Sequence, residues 1–186
     1  MRKEIAMHKR IHLIHSDEYQ NWVFDKTHPT QGRRFTNARN LLQTASARGE
    51  FHLIEVEPRL ATRDELARVH ADSYIDDVLD HHISSEWSGE RPDLSHLAQL
   101  FVGGTLTALD LLLTGEAELA VTLPGAKHHA QYDHSSGFCI FNDFAIAADR
   151  ASMNHGKNVL IIDIDGHHGD GTENLMPIDK IGRAHV

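Results

Sequence analysis

Three features of the sequence predict an α/β chain, a three-layer α/β/α arrangement with a mostly parallel central sheet. Short apolar segments, RIHLI, FHLIEV, LAVTL and NVLIID, alternate with stretches of helical periodicity. Two of these segments run straight into titratable clusters, GAKHHA and DIDGHHGDG. In an open parallel sheet, ligands bind beyond the carboxyl ends of strands. Finally, strand, helix, strand with apolar strands buried on both faces is the signature of a parallel sheet.

The elements follow in order. RIHLIHSDEY, from Arg10 to Tyr19, reads as a strand leading into a loop. His28–Thr30 prefaces a helix over Arg33–Ala47, closed by Gly49. Phe51–Pro58 alternates and stops at proline, as an edge strand does. Thr62 can cap the next helix, TRDELARVH, with Glu65 at capping-box spacing. The polar stretch Ser84–Asp93 is a loop and the expected rim of a pocket. Leu97–Gly115 is a buried helix whose Gly103 and Gly104 cost helix stability, so they permit close packing. ELAVTLPG is a strand ending at Pro124, NDFAIAADRASMNHG a helix capped by Asn142 and Gly156, and NVLIID another strand.

Composition narrows the function. With 18 basic and 27 acidic residues, the net charge of -9 argues against direct nucleic-acid binding and against a polybasic membrane anchor. A cationic partner suits it better. Cys139 stands alone, so no intrachain disulfide forms and a reducing compartment is expected. Met1–Arg10 lacks an apolar core and no run approaches the length of a membrane span, which predicts a cytoplasmic protein. The 16 histidines are unusual, since His is the side chain that titrates near neutrality and the commonest metal ligand.

Those histidines sort by context. His81 and His82 follow YIDDVLD at a helix tail, where cations near a carboxyl terminus need no further explanation. His128 and His129 follow a strand and the turn PGAK, which can present both imidazoles to the same mouth as DIDGHHGDG. In an extended segment Asp163, Asp165 and His167 share one side and Ile162 and Ile164 the other. A carboxylate and an imidazole two residues apart can grip one metal ion, and a catalytic zinc uses three protein ligands and an open position. Asp163 can orient one of the paired histidines and Asp170 the other, each raising imidazole basicity.

GAKHHA, SSGFCIFNDFAIAA and VLIIDIDGHHGDGT, in that order, resemble the signature of the zinc-dependent histone deacetylase family, which includes acetylpolyamine amidohydrolases and acetoin-utilisation proteins. Weaker matches at THP, ELARVHADSYID and VGGTL extend the resemblance over residues 10–175. It implies an arginase/deacetylase-like fold with Zn2+ held by Asp165 and His167. It implies His129 as general base partnered by Asp170, and His128 paired with Asp163. Gly137 and Phe138 would line the acyl-lysine tunnel, and backbone oxygens around DIDGH would form a monovalent cation (K+) site. The implied reaction is hydrolysis of an acetyl-lysine or acetylpolyamine amide to amine and acetate by metal-activated water. GAK departs from the glycine and aromatic or proline of many relatives, which makes Lys127 a rim residue bearing on specificity.

The resemblance also implies a third zinc ligand, a second aspartate, and a carbonyl-activating tyrosine beyond the DxH motif. Only 14 residues follow Thr172 and none fits. Residues 1–180 are therefore expected to be the amino-terminal part of a catalytic domain, inactive alone. IGRAHV, residues 181–186, is what one frame of a common sequencing adapter encodes, with Lys180 at the junction, and is set aside as a non-native tail. Two rival readings share parts of this pattern. An arginase-type manganese ureohydrolase would favour DxHxD and two metal ions, whereas here the next carboxylate lies three residues after His167. A non-catalytic acyl-lysine or polyamine binding module would need no further ligand.

Overall fold

A computed structural model describes residues 9–24, 26–87, 91–176 and 181–185, the last stretch in its backbone alone. The amino-terminal segment 1–8, the centre of the expected rim loop at 88–90 and the junction at Lys180 lie outside the described residues. β1 (Arg10–Ile14) is the middle of three parallel strands, flanked by β2 (His52–Val56) and β3 (Ala120–Thr122). Its Leu13 and Ile14 are fully buried, as a central strand requires. A 3₁₀ turn over Asp17–Asn21 follows β1, capped by the Ser16 hydroxyl.

Helices cover both faces. On one, α1 (Arg33–Ala47) reaches the sheet through Arg39 and Gln43, which donate to Glu55 of β2 at 2.7 and 2.6 Å. Glu55 sits opposite Leu13 in register, so this face is the one that Ile14 turns away from. On the other face α4 (Pro92–Thr114) lays Gly104 against Ile14 and Thr122. Helix, sheet, helix is thereby built around one strand.

Two helices depart from the sequence pattern. The helix opened by Thr62 has its capping box, but α2 spans only Arg63–Leu66, and α3 (Asp72–Leu79) starts after a break. The break frees His70: its Nδ1 bonds the Gln131 carbonyl at 2.8 Å and its Nε2 accepts the Asn142 N–H at 3.0 Å. Tertiary bonds to the site loops outweigh local helix propensity. α4 begins at Pro92, five residues before the apolar run, because proline is pre-shaped for a first turn. Among the described residues α4 alone is long and apolar enough to cross a membrane, with mean hydropathy 1.5. Half of that apolar window is buried inside the fold, with Phe101 wedged between Tyr19 and Trp22 at ring distances of 5.5 and 5.0 Å.

A Cβ on Gly103 would lie 1.8 Å from the Arg59 carbonyl oxygen, a backbone atom with no flexible end to move. We expect Gly103→Ala to lower stability by about 3 kcal/mol, the upper end for overpacking, in urea melts.

α5 (Asp143–His155) is capped by the Asn142 side chain, which accepts the Ala145 N–H, and closes at Gly156 with φ +60°. It leads to β4 (Val159–Asp163), then α6 (Asp170–Leu175) and β5 (Ile181–His185), whose backbone pairs parallel to β4. Two expectations fail here. β4 is not bonded to the three-stranded sheet but forms a second, two-stranded sheet with β5. Nor is it buried on both faces: Val159 and Ile161 pack on the core, while Leu160, Ile162 and Ile164 are 63%, 59% and 83% exposed. α5 covers one face of the strand and leaves the outer row of side chains to solvent.

Candidate active site

Two loops build the site, one after β3 and one after β4. The first, Leu123–His129, turns through Ala126 at φ +65°, a conformation that L residues seldom adopt without outside support. Asp143, fully buried at the start of α5, supplies that support: its carboxylate accepts from the Ala126 N–H at 3.1 Å, the Lys127 N–H at 2.8 Å and the Thr105 hydroxyl at 2.6 Å. His128 and His129 are thus fixed by the next helix. Their rings lie 4.1 Å apart.

The second loop is not the extended continuation of β4 that alternation predicted. Asp163 Oδ1 accepts the Asp165 N–H at 3.0 Å, and Asp165 Oδ1 accepts the His167 N–H at 2.8 Å. Such side-chain to backbone bonds two residues on make successive Asx turns, and these gather the polar side chains. Gly169 and Gly171 let the loop approach the histidines: a Cβ on Gly169 would meet Asp163 Oδ2 at 2.7 Å, and one on Gly171 the Ala130 oxygen at 2.3 Å.

Between the loops each histidine meets a carboxylate. His128 Nδ1 lies 2.7 Å from Asp163 Oδ2, and His129 Nδ1 lies 2.7 Å from Asp170 Oδ1. Burial would raise the Asp163 carboxyl, but the bonds from His128 and the Asp165 N–H outweigh it and carry its pKa below the usual value. Asp170 behaves alike, its burial outweighed by His129 and the Gly171 N–H. Both are carboxylates at neutral pH, so each accepts and each imidazole carries its proton on Nδ1. That leaves Nε2 basic on both rings.

Asp165 and His167 sit beside this pair, with Asp165 Oδ1 2.8 Å from His167 Nδ1 and the His167 ring 6.1 Å from that of His129. The two His167 bonds to Asp165, from its backbone and its ring, lower the Asp165 pKa. The two side chains are close enough to share one ion and, at 49% and 82% exposed, free to reorient around it. Among the described residues no group of three or more potential ligands forms, so the donors present fit two corners of a catalytic zinc site and leave a third to be supplied.

All four side chains, His128, His129, Asp165 and His167, line one cleft of about 340 Å³. Phe138 also lines it, in a tight turn, Ser136–Cys139, whose central residues Gly137 and Phe138 both have positive φ, +53° and +52°. Gly137 has a second constraint, since a Cβ there would lie 2.6 Å from His129 Cδ2. Phe138 packs against His28 with ring centres 4.6 Å apart and planes tilted by 58°, and its N–H donates to Glu86 Oε1 at 3.1 Å, which brings part of the expected rim segment to the cleft. Cys139 lines the cleft as a buried thiol whose pKa burial pushes up to about 11.

Lys127 corrects an expectation. It is not at the rim: only 9% of it is exposed, and its Nζ stands over the Trp22 and Phe101 rings at 5.5 and 5.2 Å. A lysine in the middle of an apolar turn carried no signal of where its head would go.

Several positioning residues left no trace in the pattern. Gln131 Nε2 donates to Asp170 Oδ2 at 2.9 Å and so bridges the two loops. The Thr172 N–H donates to the His128 carbonyl at 2.9 Å, and the Thr172 hydroxyl bonds Asn142. Asp143, in the first turn of α5, is another of them. His70 is almost wholly buried, which lowers its pKa to about 4 against the ordinary 6.5. The unfolded chain takes up that proton first, so His70 makes stability fall as pH drops from about 6.5 to 4, by up to about 3 kcal/mol. Denaturant melts at pH 7 and pH 5 should show this slope, and His70→Gln should flatten it.

An imidazole held at one nitrogen by a carboxylate and bare at the other has the arrangement that general acid–base chemistry uses. Comparison with known proteins narrows the class. Residues 28–180 match the family model described as the histone deacetylase domain, and the chain belongs to that family. It is 36% identical over 174 residues to the acetoin utilization protein AcuC of Bacillus subtilis (strain 168), a match covering 87% of this chain and 44% of that protein. The AcuC proteins of Staphylococcus aureus (strain MRSA252) and Staphylococcus xylosus are 34% and 32% identical, each over 86% of this chain and 44% of theirs. The chain thus spans less than half the length of the curated relatives it matches.

Proposed function

We propose that the chain is the amino-terminal part, residues 1–180, of a cytoplasmic zinc-dependent deacetylase that hydrolyses the N-acetyl amide of acetyl-lysine or an acetylated polyamine to amine and acetate. One observation carries this reading: His129, with Nδ1 tied to Asp170 and Nε2 bare, faces the cleft that Asp165 and His167 also line. Asp165 and His167 would hold the metal, with a third ligand from the part of the protein that the relatives have in addition. When bound, such an ion supplies Lewis acidity at the carbonyl and lowers the pKa of water.

The chain's own residues do the rest. His129 takes the proton of the attacking water at Nε2, and Asp170 stabilises the imidazolium that results. His128, held by Asp163, stands 4.1 Å away as a second proton-holding ring. Phe138, backed by His28, lines the cleft and would align an extended aliphatic side chain. The net charge of -9 favours a cationic substrate. A K+ ion on backbone oxygens near Asp163–His167 would stiffen the Asx turns, and residues 181–186 are read as foreign to the protein. Steady-state hydrolysis of an acetyl-lysine peptide by the full-length protein tests the assignment, and we expect the isolated 186-residue chain to show no turnover.

A further inference from the structure

The segment that leads into α1 borders two hollows, and the proposed mechanism uses only one. Thr30 lines the cleft, whereas Lys26, His28, Pro29 and Arg33 line an outer groove of about 390 Å³. His28 stands between the two, because its ring packs against Phe138 of the cleft. An extended polypeptide advances roughly 3.3 Å per residue, so one whose acetylated side chain enters the cleft can lay a neighbouring residue in the groove.

The groove has the opposite sign to the chain as a whole. The sequence carries 27 acidic residues against 18 basic ones, yet no acid lines the groove among the described residues, and Lys26 and Arg33 both stand exposed there. Neither has an ion-pair partner among the described residues. By contrast, Arg39 and Arg48 on the same side of the chain are both paired, with Glu55 and Glu50. His28 adds to the bias: its Nδ1 accepts the Thr30 N–H at 3.1 Å, which puts the ring's own proton on Nε2 as a donor. A cation gains nothing from such a lining. An anion gains two.

We propose that this groove binds an acidic side chain of a polypeptide substrate, an Asp or Glu one or two positions from the acetylated lysine. The inference rests on the deacetylase reading above and decides between its two substrate classes, since an acetylated polyamine carries only amines. The net charge of -9 acts on encounter at long range, whereas the groove acts at contact, within the roughly 8–10 Å over which salt leaves a field.

Steady-state hydrolysis by the full-length protein tests it, with three acetyl-lysine peptides that differ only in carrying Glu, Gln or Lys at the flanking positions. The Glu peptide should show a KM about fivefold below that of the Gln peptide, the value of one exposed ion pair. Its kcat should be unchanged, because the groove touches no reacting atom. The double variant Lys26→Glu, Arg33→Glu should reverse the order in favour of the Lys peptide, and about 0.5 M salt should erase the preference in both proteins. Equal KM for the three peptides would overturn the proposal, as would a preference for Glu that survives the charge reversal. Fluorescence anisotropy of the same peptides on the full-length protein separates this from the hydrolase reading. A protein that turns over none of them but binds the Glu peptide more tightly, and loses that order on charge reversal, would remove the reaction and leave the groove.

Discussion

Replacing His129 with glutamine in the full-length protein should lower kcat by about 10²–10⁴, the range that a positioned general base contributes. The expectation follows from the pair geometry. Asp170, its carboxyl held below the ordinary pKa, fixes the proton on Nδ1, and Nε2 is the only basic atom the ring offers to the cleft. Gln131 shares Asp170, so Gln131→Ala should act in the same direction but less, through orientation of the carboxylate. Pre-steady-state and steady-state rates on an acetyl-lysine peptide check both. A His129→Gln protein with more than half the native kcat would show that the ring is not the base.

The second large effect concerns the metal. Asp165→Ala or His167→Ala in the full-length protein should remove zinc, with an affinity loss beyond the roughly 10–100-fold that an outer hydrogen-bond partner costs. These two side chains are exposed and, among the described residues, hydrogen-bond only to each other and their own loop, so their loss should barely change the melting temperature. Metal content by elemental analysis beside a thermal melt separates the two consequences. Unaltered zinc in both variants would place the ion elsewhere.

Much of this site was legible because chemistry that must be polar sat where the pattern was otherwise apolar. NVLIID running into DIDGHHGDGT, and AVTLP into GAKHHA, marked strand ends by composition alone, and Asn142 with Gly156 bounded α5 to the residue. The illegible parts depended on long-range contacts. Nothing local in ARVH says that His70 will leave its helix to bond Gln131 and Asn142, sixty or more residues away. Nothing in GAK says that Lys127 will bury its head between Trp22 and Phe101. The outward row of β4, Leu160, Ile162 and Ile164, misled for the opposite reason. Its apolar character predicts burial on both faces, and the described residues cover only one.

On the proposed reading, further protein covers those exposed side chains and completes the two-cornered ligand set. The most direct measurement is therefore metal-dependent hydrolysis of an acetyl-lysine peptide by the full-length protein, stripped with chelator and titrated with zinc. The account predicts loss of turnover on stripping, full recovery at one zinc per chain, and no recovery in Asp165→Ala. Full turnover without metal, or recovery that needs two manganese ions per chain, would contradict it.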